Sequence, residues 1–131
     1  MKKRARKKDY EIKFYEGLLK KRPDFTQALS SLGDAYTRRG FYEEGLNVDK
    51  RLVELKPEDS VAHYNLACSL SLTGDIAQAQ NELKKAVLLG YKDFAYILED
   101  ADMENLRDAV DFCAFFHELK NFNRQDRKSV V

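Results

Sequence analysis

The sequence lacks tryptophan and has little proline, glycine or cysteine, with 2 Pro, 6 Gly and 2 Cys in 131 residues. This composition excludes collagen-like and low-complexity chains, and a hydrophobic content of 44% argues against wholesale disorder. No apolar run approaches the roughly 18 residues that a membrane helix needs. Cys68 and Cys113 lie 45 positions apart, which fits neither a zinc pattern nor a redox pair and suits a reducing compartment.

A hydrophobic segment is also missing after the basic N-terminus. Residues 1–8 carry six cations and no anion, but no apolar stretch follows them, so we expect no export and a cytoplasmic location. Residues 9–119 hold 13 cations and 21 anions, and residues 120–131 hold four cations and one anion. Duplex affinity depends largely on phosphate neutralisation, so the acidic body argues against nucleic acid as a partner. The basic run is interpreted as a solvated leader, with contact to an anionic surface or nucleic acid as the alternative.

The chain repeats itself with a period of 34 residues, which is the strongest signal in the sequence. Within each unit, apolar residues recur at the three- and four-residue spacing of one helix face, twice, on either side of a glycine. Two helices joined so closely must run antiparallel. We expect Asp24 or Thr26 to cap the first unit, and Asp59 or Ser60 the second. Identities at this shift include Leu18 with Leu52, Pro23 with Pro57, Ala28 with Ala62, Leu32 with Leu66, Gly40 with Gly74 and Leu55 with Leu89.

The motif Leu29-x-x-Leu32-Gly33-x-x-Tyr36 resembles the W-x-x-L-G-x-x-Y opening of the tetratricopeptide repeat (TPR) family. Ala79-x-x-x-Leu83 resembles the A-x-x-x-F centre of that repeat, and Pro57 falls where its closing proline belongs. The resemblance implies an all-α fold, a right-handed α-solenoid of antiparallel helix pairs with about seven helices. The pattern departs from the family at Asp49, where a large aromatic is typical, at His63 in the tryptophan position, and at Tyr91 in place of proline.

These boundaries divide the chain into five parts: a basic tail (1–8), a half repeat (9–23), full repeats (24–57 and 58–91), capping helices (92–121) and a polar, basic tail (122–131). The half repeat and the two full repeats together make up residues 9–91. The cap is expected to hold a short helix and then a longer one that begins at Asp100 or Asp102. The apolar side of that longer helix would carry Met103, Leu106, Val110, Cys113, Phe116 and Leu119.

Reactive groups do not converge anywhere in the sequence, so we expect no enzyme, no cofactor and no metal site. His63 lies within an apolar stripe and is interpreted as a helix-packing residue. Cys113 and His117 are spaced to share one helix face, but they supply only two metal ligands. Gly-rich phosphate loops and nucleophile elbows are missing from the sequence.

Recognition of another protein is therefore the leading hypothesis, since the resemblance implies a concave surface lined by the first helix of each pair. Tyr64 is the expected anchor because a tyrosine combines a wide apolar face with a hydroxyl. Asp34 makes an acidic ligand unfavourable, so we expect a neutral or basic peptide or helix. A chaperone-type clamp is not expected, because acidic or small residues stand where its cations belong. The predicted binding residues are Gln27, Ser31, Asp34, Arg38, Tyr64, Asn65 and Leu72.

Two alternatives remain open at this stage. Tyr64, Cys68 and Leu72 form a second apolar stripe, which is either covered by the C-terminal helix or left for a partner. The half repeat lacks its partner helix, so Tyr10, Phe14 and Leu18 could instead support self-association.

Overall fold

The computed structural model describes the backbone of residues 8–130 and the side chains of residues 10–122. Regular structure in that backbone is helical throughout and includes no strand, which confirms the all-α fold class. Eight α-helices are found there, together with a 3₁₀ helix at Ala101–Met103. Their bounds are α1 Lys8–Lys21, α2 Thr26–Arg38, α3 Tyr42–Leu55, α4 Ser60–Leu72, α5 Ile76–Leu88, α6 Phe94–Ile97, α7 Glu104–Arg107 and α8 Phe112–Val130.

The chain forms two compact units, Met1–Pro57 and Glu58–Val131, which divide where the sequence predicts one full repeat to end and the next to begin. The basic N-terminal tail lies outside the described residues except for Lys8, which begins α1. Of the helices described, none combines the length and the apolar character required to cross a bilayer.

The first unit contains α1, α2 and α3. Its core joins the inner face of α1 to α2 through buried Ile12, Leu32 and Ala35, and half-buried Tyr15 and Leu19 pack against them. The apolar spacing of the repeat predicts that Leu32 and Leu52 are buried, and the structure confirms it. Tyr36, also expected in the core, is only half-buried because its hydroxyl reaches out to donate to Glu16.

Small residues bring α2 and α3 close together in this unit. A Cβ placed on Gly33 would lie 3.1 Å from Asp49 Oδ1 and 3.3 Å from Val48 Cγ1. Asp49 is itself buried, at the position where the repeat family has a large aromatic. The short carboxylate therefore occupies the space beside Gly33.

Neither Asp24 nor Thr26 caps α2, so that expectation is wrong. The N-cap is Phe25, which makes no side-chain cap hydrogen bond, because Thr26 is already the first helical residue and Asp24 lies in the preceding turn. The Arg22 guanidinium packs over the Phe25 ring at 4.4 Å from its centroid.

The repeat pattern predicts turns at Gly40, Gly74 and Gly90, and the structure confirms them. Gly40, Gly74 and Gly90 each follow a helix with positive φ values of 83°, 89° and 117°. Residues with a Cβ adopt this left-handed region at a cost, so glycine fixes where each helix stops.

The second unit begins with the α4–α5 hairpin. The Asp59 carboxylate caps α4 by accepting from the backbone N–H groups of Val61 and Ala62, which confirms one of the two predicted candidates. Asp75 caps α5 by accepting from the backbone N–H of Gln78. The predicted burial of Leu66, Leu70, Leu83 and Ala86 is confirmed.

The long helix expected after Asp100 is instead broken. Asp100 does cap a helix by accepting from Asp102 N, but the 3₁₀ helix and α7 end at Arg107, and residues 108–111 form a turn before α8. Met103, Leu106 and Leu119 are buried as predicted. The break changes the register between them, so that Phe112 and Phe115 enter the core, while Val110 and Cys113 are exposed and Phe116 is half-buried. Helix α8 then continues to Val130, through the segment expected as a polar tail.

Leu66→Ala should lower the free energy of unfolding by roughly 2–5 kcal/mol, because it leaves a cavity in the α4–α5 core. Urea unfolding measures the loss. Leu98→Ala is the matched control, since Leu98 is 49% exposed and its truncation should cost far less. Equal costs would mean that the buried face of α4 is misassigned.

Two glycine substitutions should differ in their effect on stability. Gly17→Ala should stabilise the fold by about 0.5–1 kcal/mol, since Gly17 lies inside α1 and a Cβ there meets nothing within 4 Å. Gly33→Ala should lose that gain or destabilise, because the new methyl presses on Asp49 and Val48. Thermal unfolding of both variants makes the comparison, and a stabilised Gly33→Ala would contradict the close approach.

Candidate protein-binding surface

The binding residues predicted on α2 form a stripe along one face of that helix. Gln27, Ser31, Asp34 and Arg38, here called the α2 stripe, are spaced by four, three and four residues. Gln27, Asp34 and Arg38 each reach the surface, and Ser31 is half-buried. The α2 stripe is therefore accessible along its length.

Charges at one end of the α2 stripe are organised by an ion-pair network with α1. Arg38 Nε donates to Asp34 Oδ2 at 2.9 Å, and Arg38 Nη2 donates to Glu11 Oε2 at 3.0 Å. Buried Arg39 reaches the other oxygen of Glu11 at 3.1 Å. Hydrogen bonds from Arg38 and then Arg39 lower the pKa of Glu11, while Asp34 and then Glu11 raise the pKa of Arg38. The two exposed pairs of Arg38 add only about 0.2–1 kcal/mol each. The network joins α1 to the end of α2 through Glu11.

Tyr64 is not the exposed anchor that the sequence suggested. It is 5% exposed, and its ring stacks on Tyr91 with centroids 4.3 Å apart. Its hydroxyl donates to Asp100 Oδ2 at 2.6 Å. The physical reason is the turn at Gly90, which brings the chain back across α4 and places residues 91–107 over the apolar stripe. The stripe is thus covered by this segment, which is neither of the two alternatives that the sequence left open, the C-terminal helix or a partner.

Cys68 belongs to the same buried cluster. Its thiol lies 3.6 Å from Asp100 Oδ2, and it is 7% exposed. Burial is the largest cause that raises the pKa of Cys68 and of Tyr64, and the Asp100 carboxylate adds to both shifts. Both groups therefore stay protonated, and they hold residues 91–103 against α4.

Part of α4 remains open beside this cover. Val61 is 54% exposed, and Asn65 and Leu72 are half-buried. These three residues, here called the α4 stripe, correspond to Gln27, Ser31 and Arg38 at the 34-residue shift. Val61 was not among the predicted binding residues. Its equivalence to Gln27 at the 34-residue shift could have identified it.

His63 packs inside the α4–α5 hairpin, in line with the sequence interpretation. Its Nδ1 lies 2.7 Å from Glu82 Oε1, and Lys85 Nζ donates to Glu82 Oε2 at 3.2 Å. His63 and Glu82 are both buried. Their separation of 19 residues carries no local signal, so Glu82 was missed.

Cys113 and His117 both lie on the exposed side of α8. Among the described side chains, metal-ligating atoms approach one another at Cys68, Asp100 and Asp102, within 4.8 Å. The Asp100 carboxylate is engaged there by the Tyr64 hydroxyl and the Asp102 backbone N–H. The cluster is therefore explained by its role in closing the second unit.

Comparison with known proteins finds a partial similarity. No family model matches the chain. An alignment of 102 positions, which covers 74% of this chain, is 35% identical to a protein from Arabidopsis thaliana whose name describes it as chloroplastic. The chain spans about 30% of the length of that relative, so the similarity relates it to one part of a larger protein.

Tyr64→Phe should lower the free energy of unfolding by roughly 1–3 kcal/mol, because Asp100 loses a buried donor. It should also flatten the alkaline dependence of stability. The raised folded pKa values mean that stability is full below the ordinary values of 9.0 for Cys68 and 10.0 for Tyr64, and is lost as the pH rises past them. Urea midpoints at about pH 8 and about pH 10.5 measure this.

Tyr42→Phe provides the control for that measurement, since Tyr42 is 40% exposed on α3. Its midpoint should follow the parent protein at both pH values. A Tyr64→Phe variant with parental stability and an unchanged alkaline slope would contradict the buried hydrogen bond.

Proposed function

We propose that this chain is a non-enzymatic protein–protein interaction module built from tetratricopeptide-like repeats, which binds a peptide or helix of another protein. The observation that carries the proposal is the pair of accessible stripes on the first helices of the two repeats. The α2 stripe is polar and charged, and the α4 stripe offers Val61 and Leu72 beside the amide of Asn65. Apolar contact combined with backbone hydrogen bonding suits a peptide segment.

The right-handed solenoid arrangement is part of the same proposal. It is supported by the 34-residue period and by the helix hairpin that each unit forms. For the location, the free thiols of Cys68 and Cys113 support a reducing compartment such as the cytoplasm. The relative's name places that relative in the chloroplast, so cell fractionation with an antibody to the chain decides between the two.

The partner segment should be neutral or basic, because Asp34 is the most exposed charge of the α2 stripe, with 69% of its side chain accessible. Peptides selected on the immobilised chain from a random display library should therefore be depleted in Asp and Glu. Asp34→Lys should weaken the binding of those peptides by roughly tenfold, measured by calorimetry.

Glu54→Lys is the matched control for Asp34→Lys. Glu54 is also 69% accessible and also pairs with an arginine of its own helix, Arg51, at 3.3 Å, but it lies on α3. Its reversal should leave peptide affinity unchanged. A selection that yields acidic peptides, or an equal loss of peptide affinity in both variants, would contradict the assignment of the α2 stripe as a binding surface.

A further inference from the structure

The outer side of α1 exposes two large aromatic side chains, four residues apart. Tyr10 is 85% exposed and Phe14 is 61% exposed. Lys13, Gly17 and Lys21 are also exposed and share this side of the helix by their three- and four-residue spacing, so the five residues are here called the α1 face. Apolar side chains that expose one contiguous stripe mark interaction surfaces, whereas scattered ones need no explanation.

The 34-residue period indicates what kind of surface the α1 face is. At that shift, Phe14 of α1 corresponds to Val48 of α3. Val48 packs against the core of the first unit and lies beside Gly33 of α2, where an added Cβ would be 3.3 Å from Val48 Cγ1. The α1 face therefore matches the side of α3 that packs on another helix, but its equivalent ring is exposed.

Charge on α1 is divided between its two sides. Glu11 and Glu16 are turned toward α2, where Glu11 accepts from two arginines and Glu16 accepts from the Tyr36 hydroxyl. The α1 face instead carries Lys13 and Lys21 and no anion. A surface that complements it must therefore be acidic.

The basic parts of the chain itself are poor complements for this face. Residues 1–7 carry five cations and no anion, so they share the charge of the face. A second copy of α1 would also bring like charges together. When two antiparallel copies cross at Gly17, Lys13 of one lies level with Lys21 of the other, and in a parallel pair each lysine lies level with its own copy.

We propose that the α1 face is a docking site for an acidic amphipathic helix of a partner protein. The apolar stripe of that helix lies against Tyr10 and Phe14, and its Asp or Glu residues lie beside Lys13 and Lys21. Gly17 leaves the centre of the face open to close approach, since a Cβ there would meet nothing within 4 Å.

The partner helix should carry a small residue opposite Phe14, because the smaller Val48 already faces a glycine of α2. This surface lies on a different helix from the α2 stripe and takes a ligand of opposite charge. Its failure would therefore leave the proposed function intact.

Two synthetic helices measure the charge preference of the α1 face. Both are about 20 residues long, so that each can be helical in isolation, and both share one apolar face of leucine with a central alanine. The acidic helix carries Glu beside that face, and the basic helix carries Lys. Calorimetry on the full chain should show the acidic helix bound roughly tenfold or more tightly than the basic one. The difference should shrink at high salt, which screens exposed charges.

Charge reversal on the α1 face provides the decisive test. Lys13→Glu combined with Lys21→Glu should reverse the preference, so that the basic helix binds more tightly than the acidic one. Misfolding cannot produce this result, because a misfolded chain would lose both ligands.

Removal of the aromatic ring tests the apolar part of the contact. Phe14→Ser should weaken binding of the acidic helix by roughly tenfold or more, since buried aromatic anchors dominate interface energies. Circular dichroism should show the parental helix content, because the ring is exposed in the chain alone.

Controls at positions outside α1 match each change. Tyr42→Ser removes an aromatic side chain that is 40% exposed on α3. Lys50→Glu combined with Lys92→Glu makes the same change in net charge at exposed positions. Both variants should bind the acidic helix as the parent chain does.

The proposal is overturned if the parent chain binds neither helix or binds both equally, or if Phe14→Ser and Tyr42→Ser lose equal affinity. It is also overturned if the charge-reversed chain loses both helices. A parent dimer in sedimentation equilibrium that Phe14→Ser dissociates would assign the face to a second copy instead. Binding to vesicles of phosphatidylcholine and phosphatidylglycerol that Phe14→Ser abolishes would assign it to a lipid surface.

Discussion

A pair of antiparallel helices buries the stripe between them, so the outer face of the first helix needs a third element before either unit is closed. In the first unit that element is α1, which covers α2 with Ile12, Tyr15 and Leu19. In the second unit it is the chain after Gly90, which lays Tyr91 and Asp100 over α4. The two units differ most in how this third layer is joined.

The two units close their third layer with different chemistry. In the first, polar contacts lie at the edge: Glu11 receives two arginines and Tyr36 reaches Glu16, while the core beneath is aliphatic and aromatic. In the second, the contacts are buried, with the Asp100 carboxylate accepting from the Tyr64 hydroxyl and Leu106 N donating to Ser71 Oγ. A buried acceptor that loses its donor is costly. The segment 91–107 is therefore stable only in the position on α4 that keeps these hydrogen bonds.

Local and periodic features of the fold could be predicted from the sequence. The glycine turns, the Asp59 cap and the buried leucines all depend on spacing within about 34 residues, which the repeat makes visible. The break at residues 108–111 could not be predicted, because a helix through Val110 and an interrupted one with Phe112 inside have similar apolar spacing. Packing on α5 decides between them, and packing is a tertiary effect.

The candidate site illustrates the same limit. Gln27, Asp34 and Arg38 are exposed because they lie on the face of α2 that the apolar core stripe does not use. The burial of Tyr64 depends on Asp100, 36 residues away, and no pattern in either segment links them. A helix that is apolar on two sides is ambiguous in sequence, and here the chain's own continuation covers the side that had been assigned to a partner.

Arg107, the last residue of α7, holds that helix to the end of α6 and to the turn that follows it. Its guanidinium donates to the carbonyl oxygens of Ile97 at 2.9 Å and Asp100 at 2.6 Å, across the turn that precedes the 3₁₀ helix. Since one side chain satisfies both carbonyls, neither end of the segment can open without releasing the other. Local opening of residues 97–107 is therefore cooperative, and the segment releases its contacts together rather than one turn at a time.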